Sequence, residues 1–102
     1  MVLILLRVVG DGIGWMEVKA PILTMVEAST MLAELKAAPL LNGFRGAAKA
    51  DIAALSELIA QISILAAQHA NEISEIEINP VLVRPVGQGV TVVDALVVRK
   101  SR

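Results

Sequence analysis

Glu75, Glu77 and Asn79 form the densest group of oxygen-donor side chains in the sequence, inside the stretch Ser74-Glu75-Ile76-Glu77-Ile78-Asn79-Pro80. Read as a β-strand, this stretch puts the three donors on one face and Ile76 and Ile78 on the other. Oxygen donors in a row suit a hard cation such as Mg²⁺, which prefers carboxylate and carbonyl ligands. A second donor strand is needed to hold one, and the sequence offers it downstream. If Pro85 to Gln88 is a four-residue hairpin loop, Arg84 pairs with Gly89 and Asn79 falls opposite Asp94. Opposed residues of an antiparallel pair hold their Cβ atoms about 4.5–5.5 Å apart on one face. An amide oxygen and a carboxylate at that separation reach one Mg²⁺ ion, provided waters and nucleotide phosphates supply the remaining ligands. Glu77 lies about 6.5–7 Å along the same face, where it either supports the ligands from behind or acts as a separate functional carboxylate.

The same spacing fits a plainer arrangement. Asn79 and Asp94 can be a cross-strand hydrogen-bonded pair, with Glu75 and Glu77 a solvated acidic face. Spacing alone favours that version, because acidic strand faces are common. A slip of one residue would move Asp94 to the other face and remove the site altogether. Pro80, which has no N–H, is expected to interrupt the ladder beside it.

The other chemistry-bearing residues are few. His69 is the single histidine and there is no cysteine, so neither a catalytic triad nor a multi-histidine or thiolate metal centre can be assembled. His69 is expected to close a helix rather than to bind a ligand. Gly10, Gly12 and Gly14 alternate, but Trp15-Met16-Glu17-Val18 does not start a helix, so a hairpin turn is expected there instead of a phosphate loop.

These residues need elements to position them. Val2 to Val9 reads as a buried strand and Trp15 to Lys19 as its hairpin partner. Thr24 and Glu27 have capping-box spacing ahead of a helix over 25–37, with Met25, Ala28, Met31, Leu32 and Leu35 as its buried stripe. Pro39 is expected to end that region, followed by a loop from Leu40 to Ala50. Asp51 is a good N-cap for a second helix reaching about Ala70, buried through Ile52, Leu55, Leu58, Ile59, Ile62, Leu65 and Ala66. Two strands follow, Ile73 to Arg84 and Gly89 to Val98. The expected fold is α+β: a small, mainly antiparallel sheet with two helices packed on one face, in one domain over residues 1–102.

Composition narrows the functions. The chain has 102 residues, 56% of them hydrophobic and only two aromatic, so its core is aliphatic. That apolar fraction is high for so short a chain and suggests a surface covered by another copy or another subunit. A net charge of −1 offers no case for nucleic acid or an anionic membrane. Arg99 to Arg102 reads as a solvated basic end. Met1 to Val9 is too short to span a bilayer and carries Arg7, so a cytoplasmic protein is expected.

Several motifs in order carry a resemblance. Glu75-Ile76-Glu77-Ile78-Asn79-Pro80-Val81-Leu82-Val83, Gly87-Gln88-Gly89-Val90 and Val93-Asp94-Ala95-Leu96 resemble the C-terminal end of the ATP-grasp domain of NDP-forming acyl-CoA synthetases. ADP-forming acetate–CoA ligases and the succinyl-CoA synthetase β subunit belong to this group. Upstream, Ala38-Pro39-Leu40-Leu41-Asn42-Gly43-Phe44-Arg45-Gly46 and Ala50-Asp51-Ile52-Ala53-Ala54-Leu55 are similar to the same branch. The resemblance implies Mg²⁺ ligation by Asn79 and Asp94, and a role for Glu77 facing the phosphorylated histidine of another domain. It implies Mg²⁺ with ATP or ADP (or GTP) as cofactors, and assigns no role to Arg45. The family's domain is longer, so the expectation is a truncated relative, inactive alone. It would act as a homodimer or beside a complementing synthetase subunit. The alternative is a non-catalytic, self-associating domain that kept only the fold.

Overall fold

The computed structural model describes residues 2–9, 12–13, 25–34, 38–43, 46 and 48–100. Its elements are β1 (Val2–Val9), β2 (Gly12–Ile13), α1 (Met25–Ala33), α2 (Ala38–Leu41), α3 (Ile52–Gln68), β3 (Ile73–Val83), β4 (Val90–Val92) and β5 (Ala95–Arg99). The fold is the expected α+β arrangement. β3 is the central strand, antiparallel to β1 along one side and to both β4 and β5 along the other. β2 adds to the far side of β1, pairing Val8 with Ile13 and Val9 with Gly12, which is hairpin geometry at the glycines. The strand expected over Trp15 to Lys19 lies outside the described residues, as do Thr24 and Arg45.

One face of the sheet is dry. Leu6, Ile76, Ile78, Val81 and Val83 point into a core closed by Ala28 and Leu32 of α1 and by Leu55, Ile59 and Ile62 of α3. Three expectations need correction. The first helix stops at Ala33, where the Glu34 N–H bonds back to the Met31 carbonyl in a tighter turn. The supposed loop after Pro39 begins as a helical turn, α2. Pro39 sits in its first turn, where a missing N–H costs nothing, and Leu41 reaches the core. The buried face of α3 is rotated from the purely apolar stripe. Ser56, Ala60 and Ser63 are buried, while Leu65 is 43% exposed. Both serines are hydrogen-bonded. Ser56 shares a 2.8 Å hydrogen bond with Ser29 of α1, and Ser63 Oγ donates to the Ala60 carbonyl at 2.7 Å.

The start of α3 is tied to the β3–β4 turn. Asp51 caps the helix as expected, its Oδ1 accepting from the Ala54 N–H at 3.1 Å. Its Oδ2 also accepts from the N–H groups of Gly87 (3.1 Å) and Gly89 (2.8 Å) across the turn. The Asp51 N–H donates to the Arg84 carbonyl at 2.7 Å, and Ala50 bridges Pro85. Gly87 and Gly89 have φ of 82° and 81°, the left-handed region that costs an L-residue about 1–2 kcal/mol. A Cβ at either position would meet open space. Gly89→Ala is therefore expected to lose about that backbone cost, about 1–2 kcal/mol in urea unfolding.

Candidate functional site

The hairpin takes the expected register. The Arg84 N–H donates to the Gly89 carbonyl, the Gln88 N–H closes the turn on Pro85, and Val83–Val90 through Val81–Val92 continue the pairing. The same register resumes below with Ile78–Ala95 and runs to Glu75–Val98. The single strand expected over Gly89 to Val98 is instead two, β4 and β5, separated at Val93-Asp94. The gap faces Asn79 and Pro80, whose peptide bond is cis. Backbone contact persists across it. The Asn79 N–H donates to the Asp94 carbonyl and the Val93 N–H to the Pro80 carbonyl, both at 3.1 Å. Asn79 and Asp94 thus stand opposite each other, as the loop length implied.

A β-bulge marks the same place on the other side of β3. β1 pairs Ile4 with Val81 and Leu6 with Ile78, so Asn79 and Pro80 together oppose Leu5 alone. The extra residue changes which parity faces inward. Ile76 and Ile78 are buried below the bulge and Val81 and Val83 above it. Simple alternation from Asn79 would have put Val81 and Val83 on the wet face. The bulge keeps the strand's apolar residues in the core while turning Asn79 outward, where it is exposed.

The outer face carries the polar groups. Glu75 is half-buried and accepts an ion-paired hydrogen bond from Arg7 of β1. That bond, with the attraction of the Glu75 charge, raises the Arg7 guanidinium above its usual range, and Glu77 adds a smaller attraction. Glu75 is therefore an interstrand partner, one member fewer in the acidic row. Sequence reasoning passed over Arg7 as a pairing group. The available signal was a lone charge inside an aliphatic strand, which must face outward and toward a carboxylate. Glu77 lies opposite Arg7 in register, yet among the described residues it has no hydrogen bond or ion pair.

Asn79 and Asp94 are not joined by their side chains. The Asp94 Oδ1 instead accepts from the N–H of Ala95 at 2.8 Å, and the Asn79 amide has no hydrogen-bond partner among the described residues. The cross-strand hydrogen bond between Asn79 and Asp94 is thus made by their backbones and not by their side chains. No three His, Cys, Asp or Glu residues converge as a metal cluster among the described residues. His69 ends α3, its N–H on the Leu65 carbonyl and its Nδ1 3.8 Å from Glu72.

Sequence comparison adds the decisive observation, since the ATP-grasp domain family matches residues 9–98. The chain belongs to that family. Within ATP-grasp proteins it is similar to the beta subunit of the ADP-forming acetate–CoA ligase II of Pyrococcus furiosus. The two are 38% identical over 79 residues, which is 78% of this chain and 34% of that one. A trans-feruloyl-CoA synthase from an unknown prokaryotic organism is 52% identical over 65 residues, 64% of this chain and 9% of that protein. Among solved structures, the dinucleotide-forming acetyl-coenzyme A synthetase 1 of Ca. Korarchaeum cryptofilum superposes with a TM-score of 0.77 at 28% identity. The match covers 96% of this ATP-grasp chain and 52% of that one. That structure holds coenzyme A and Mg-AMPPCP, with its phosphohistidine segment pointing towards the nucleotide binding site. A Pyrococcus horikoshii Ot3 structure shares the fold, with a TM-score of 0.83 over 98% of this chain and 48% of that one. The chain spans from about a tenth to a third of these curated relatives and about half of the solved chains. Among the described residues, no helix is long and apolar enough to cross a membrane.

Proposed function

We propose that this chain carries the cation-binding end of a Mg²⁺–nucleotide site serving an NDP-forming acyl-CoA synthetase, and that by itself it does not complete the reaction. The observation that supports this reading is the opposition of Asn79 and Asp94 at the gap between β4 and β5. The Asn79 amide is exposed and unpartnered among the described residues, and Asp94 has its Oδ2 free of the bond that holds Oδ1. Two oxygen donors of this kind fit an ion that keeps waters and phosphate oxygens as its other ligands. Asn79 and Asp94 would hold the magnesium, which would supply charge neutralisation to the phosphates of ATP or ADP (or GTP).

Glu77 is assigned the catalytic role. It is a carboxylate without a hydrogen bond or ion pair among the described residues, on the face that carries Asn79, with Arg7 already engaged by Glu75. Such a carboxylate accepts a hydrogen bond from an imidazole N–H and orients a histidine for phosphoryl transfer. This chain's His69 is held at the end of α3, so the histidine comes from a complementing synthetase subunit or domain. The naming of two similar proteins as beta subunits supports that partnership. A cytoplasmic location, where ATP and ADP are supplied, fits such a site.

The test is thermal. Mg²⁺ with ATP, ADP or GTP should raise the melting temperature by several degrees, because a ligand of the native state stabilises it. Nucleotide without Mg²⁺ should not, and Asp94→Ala should remove the shift. No shift at millimolar ligand would overturn the nucleotide reading. Thioester formation by the isolated chain from ATP, CoA and a carboxylate would overturn its dependence on a partner. The second reading, a non-catalytic self-associating domain, draws on a different observation: the exposed apolar residues Leu96, Val97 and Val98 of β5.

A further inference from the structure

Among the described residues β5 pairs with β3 alone, and no other described strand lies along its other edge. The backbone directions along it are readable. The Asp94 carbonyl accepts from Asn79, the Val98 carbonyl from Ser74 Oγ at 3.2 Å, and the Lys100 N–H donates to the Glu72 carbonyl at 2.8 Å. Residues 94, 98 and 100 therefore turn their backbone groups toward β3. By alternation Ala95, Val97 and Arg99 turn theirs to that other edge. Natural edges are usually blunted by Pro, Lys, an inward charge or a bulge, and Ala95-Leu96-Val97-Val98 has none of these. Leu96 is 56% exposed and Val97 50%.

We propose that this edge pairs with the same edge of a second copy, antiparallel about a two-fold axis through Val97. In that register Val97 meets Val97 and Ala95 meets Arg99, and these are the residues whose backbone groups face outward. Leu96 then lies beside Val98 of the second copy, and Asp94 beside its Lys100, twice over by symmetry. The edge is thus self-complementary in hydrogen bonds, in apolar contact and in charge. Neighbouring registers fail on one count each. A shift of the axis to Leu96 or Val98 keeps outward backbone groups opposed but sets Asp94 against Val98, or Lys100 against Leu96. A shift to Ala95 or Arg99 sets Asp94 against Leu96, or Lys100 against Val98. The Ala95 N–H, now held by the Asp94 carboxylate, is released to the Arg99 carbonyl as Asp94 turns to Lys100. One such edge joined to its equivalent closes the assembly at two chains. A contact of one short strand is small, so the dimer is concentration-dependent rather than obligate.

The inference does not rest on the metal reading, and its test is made without Mg²⁺ or nucleotide. Sedimentation equilibrium of the 102-residue chain should show a reversible monomer–dimer exchange. Val97→Pro removes an N–H that makes no bond to β3, so the fold, followed by circular dichroism, should persist while the dimer is lost. Lys100→Glu should weaken the dimer about tenfold, since each substitution counts twice across the axis. The exchange Asp94→Lys with Lys100→Glu should restore it. A native chain that stays monomeric up to its solubility limit would overturn the proposal. So would a dimer indifferent to Val97→Pro, or one that the charge exchange fails to restore.

Discussion

Asp51→Ala is expected to lower the melting temperature by about 5–15 °C, more than an ordinary cap deletion at a helix start. The carboxylate serves two elements at once. Its Oδ1 caps α3 through Ala54, and its Oδ2 holds the N–H groups of Gly87 and Gly89 in the β3–β4 turn. Removing it leaves three backbone donors without their partner, those of Ala54 and Gly89 half-buried, and loosens the turn that sets the hairpin register. That register puts Asp94 opposite Asn79, so the variant should also respond less to Mg²⁺ and nucleotide. Asp51→Asn should fall between the native chain and Asp51→Ala. Its amide oxygen can still accept from Ala54, but its NH₂ then faces the turn's N–H groups.

The same carboxylate gives a pH dependence. Hydrogen bonds from Ala54 and then Gly89, with a smaller one from Gly87, outweigh the effect of burial and hold Asp51 below the usual carboxylate range. Its folded value is thus depressed below its unfolded one. The stabilisation is present in full above the unfolded value of about 3.9 and is lost as pH falls through the lower folded value. Urea midpoints on either side of about pH 4 should fall steeply for the native chain and less for Asp51→Ala. Equal slopes would remove Asp51 as the source.

The second large effect separates two leucines that look equivalent in the sequence. Leu55→Ala is expected to cost about 2–5 kcal/mol, because its site is fully enclosed by α1, α3 and the sheet. For a domain of this size that is a large share of the whole stability. Leu65→Ala, with 43% of the residue exposed, should stay within about 0.5–1 kcal/mol. Urea denaturation of the two variants at constant m measures the difference. Comparable losses would mean that α3 buries its apolar stripe rather than the face holding Ser56 and Ser63.

How legible the molecule was depended on the range of each interaction. The Asp51 cap, the hairpin register and the position of Asp94 opposite Asn79 come from contacts local along the chain or fixed by one short loop. Loop length, turn glycines and a capping residue are written in consecutive letters, so these features were readable. The glycine hairpin after β1 was readable for the same reason. The α2 turn was not, because Pro39 both ends and begins helices and only the burial of Leu41 decides between them. The rotation of α3 was not readable either. Two serines become inward residues because Ser29 of α1 partners Ser56 and the Ala60 carbonyl of α3 accepts from Ser63.

The acidic strand divides along the same line. The sequence by itself determined that Glu75, Glu77 and Asn79 share a face and that Asp94 stands across from Asn79. Alternation along a strand and the count of residues in a turn suffice for that. Only the tertiary structure decided what each side chain is left to do. β1 lies far away in sequence, and its pairing with β3 gives Glu75 to Arg7 and places the bulge against Leu5. That bulge turns Val81 and Val83 inward while leaving Asn79 exposed, and the gap in the partner strand leaves the Asp94 carboxylate bonded to Ala95 rather than to Asn79. Long-range pairing carries no signature in the letters between its partners, so which donors stayed free was settled by the packed sheet.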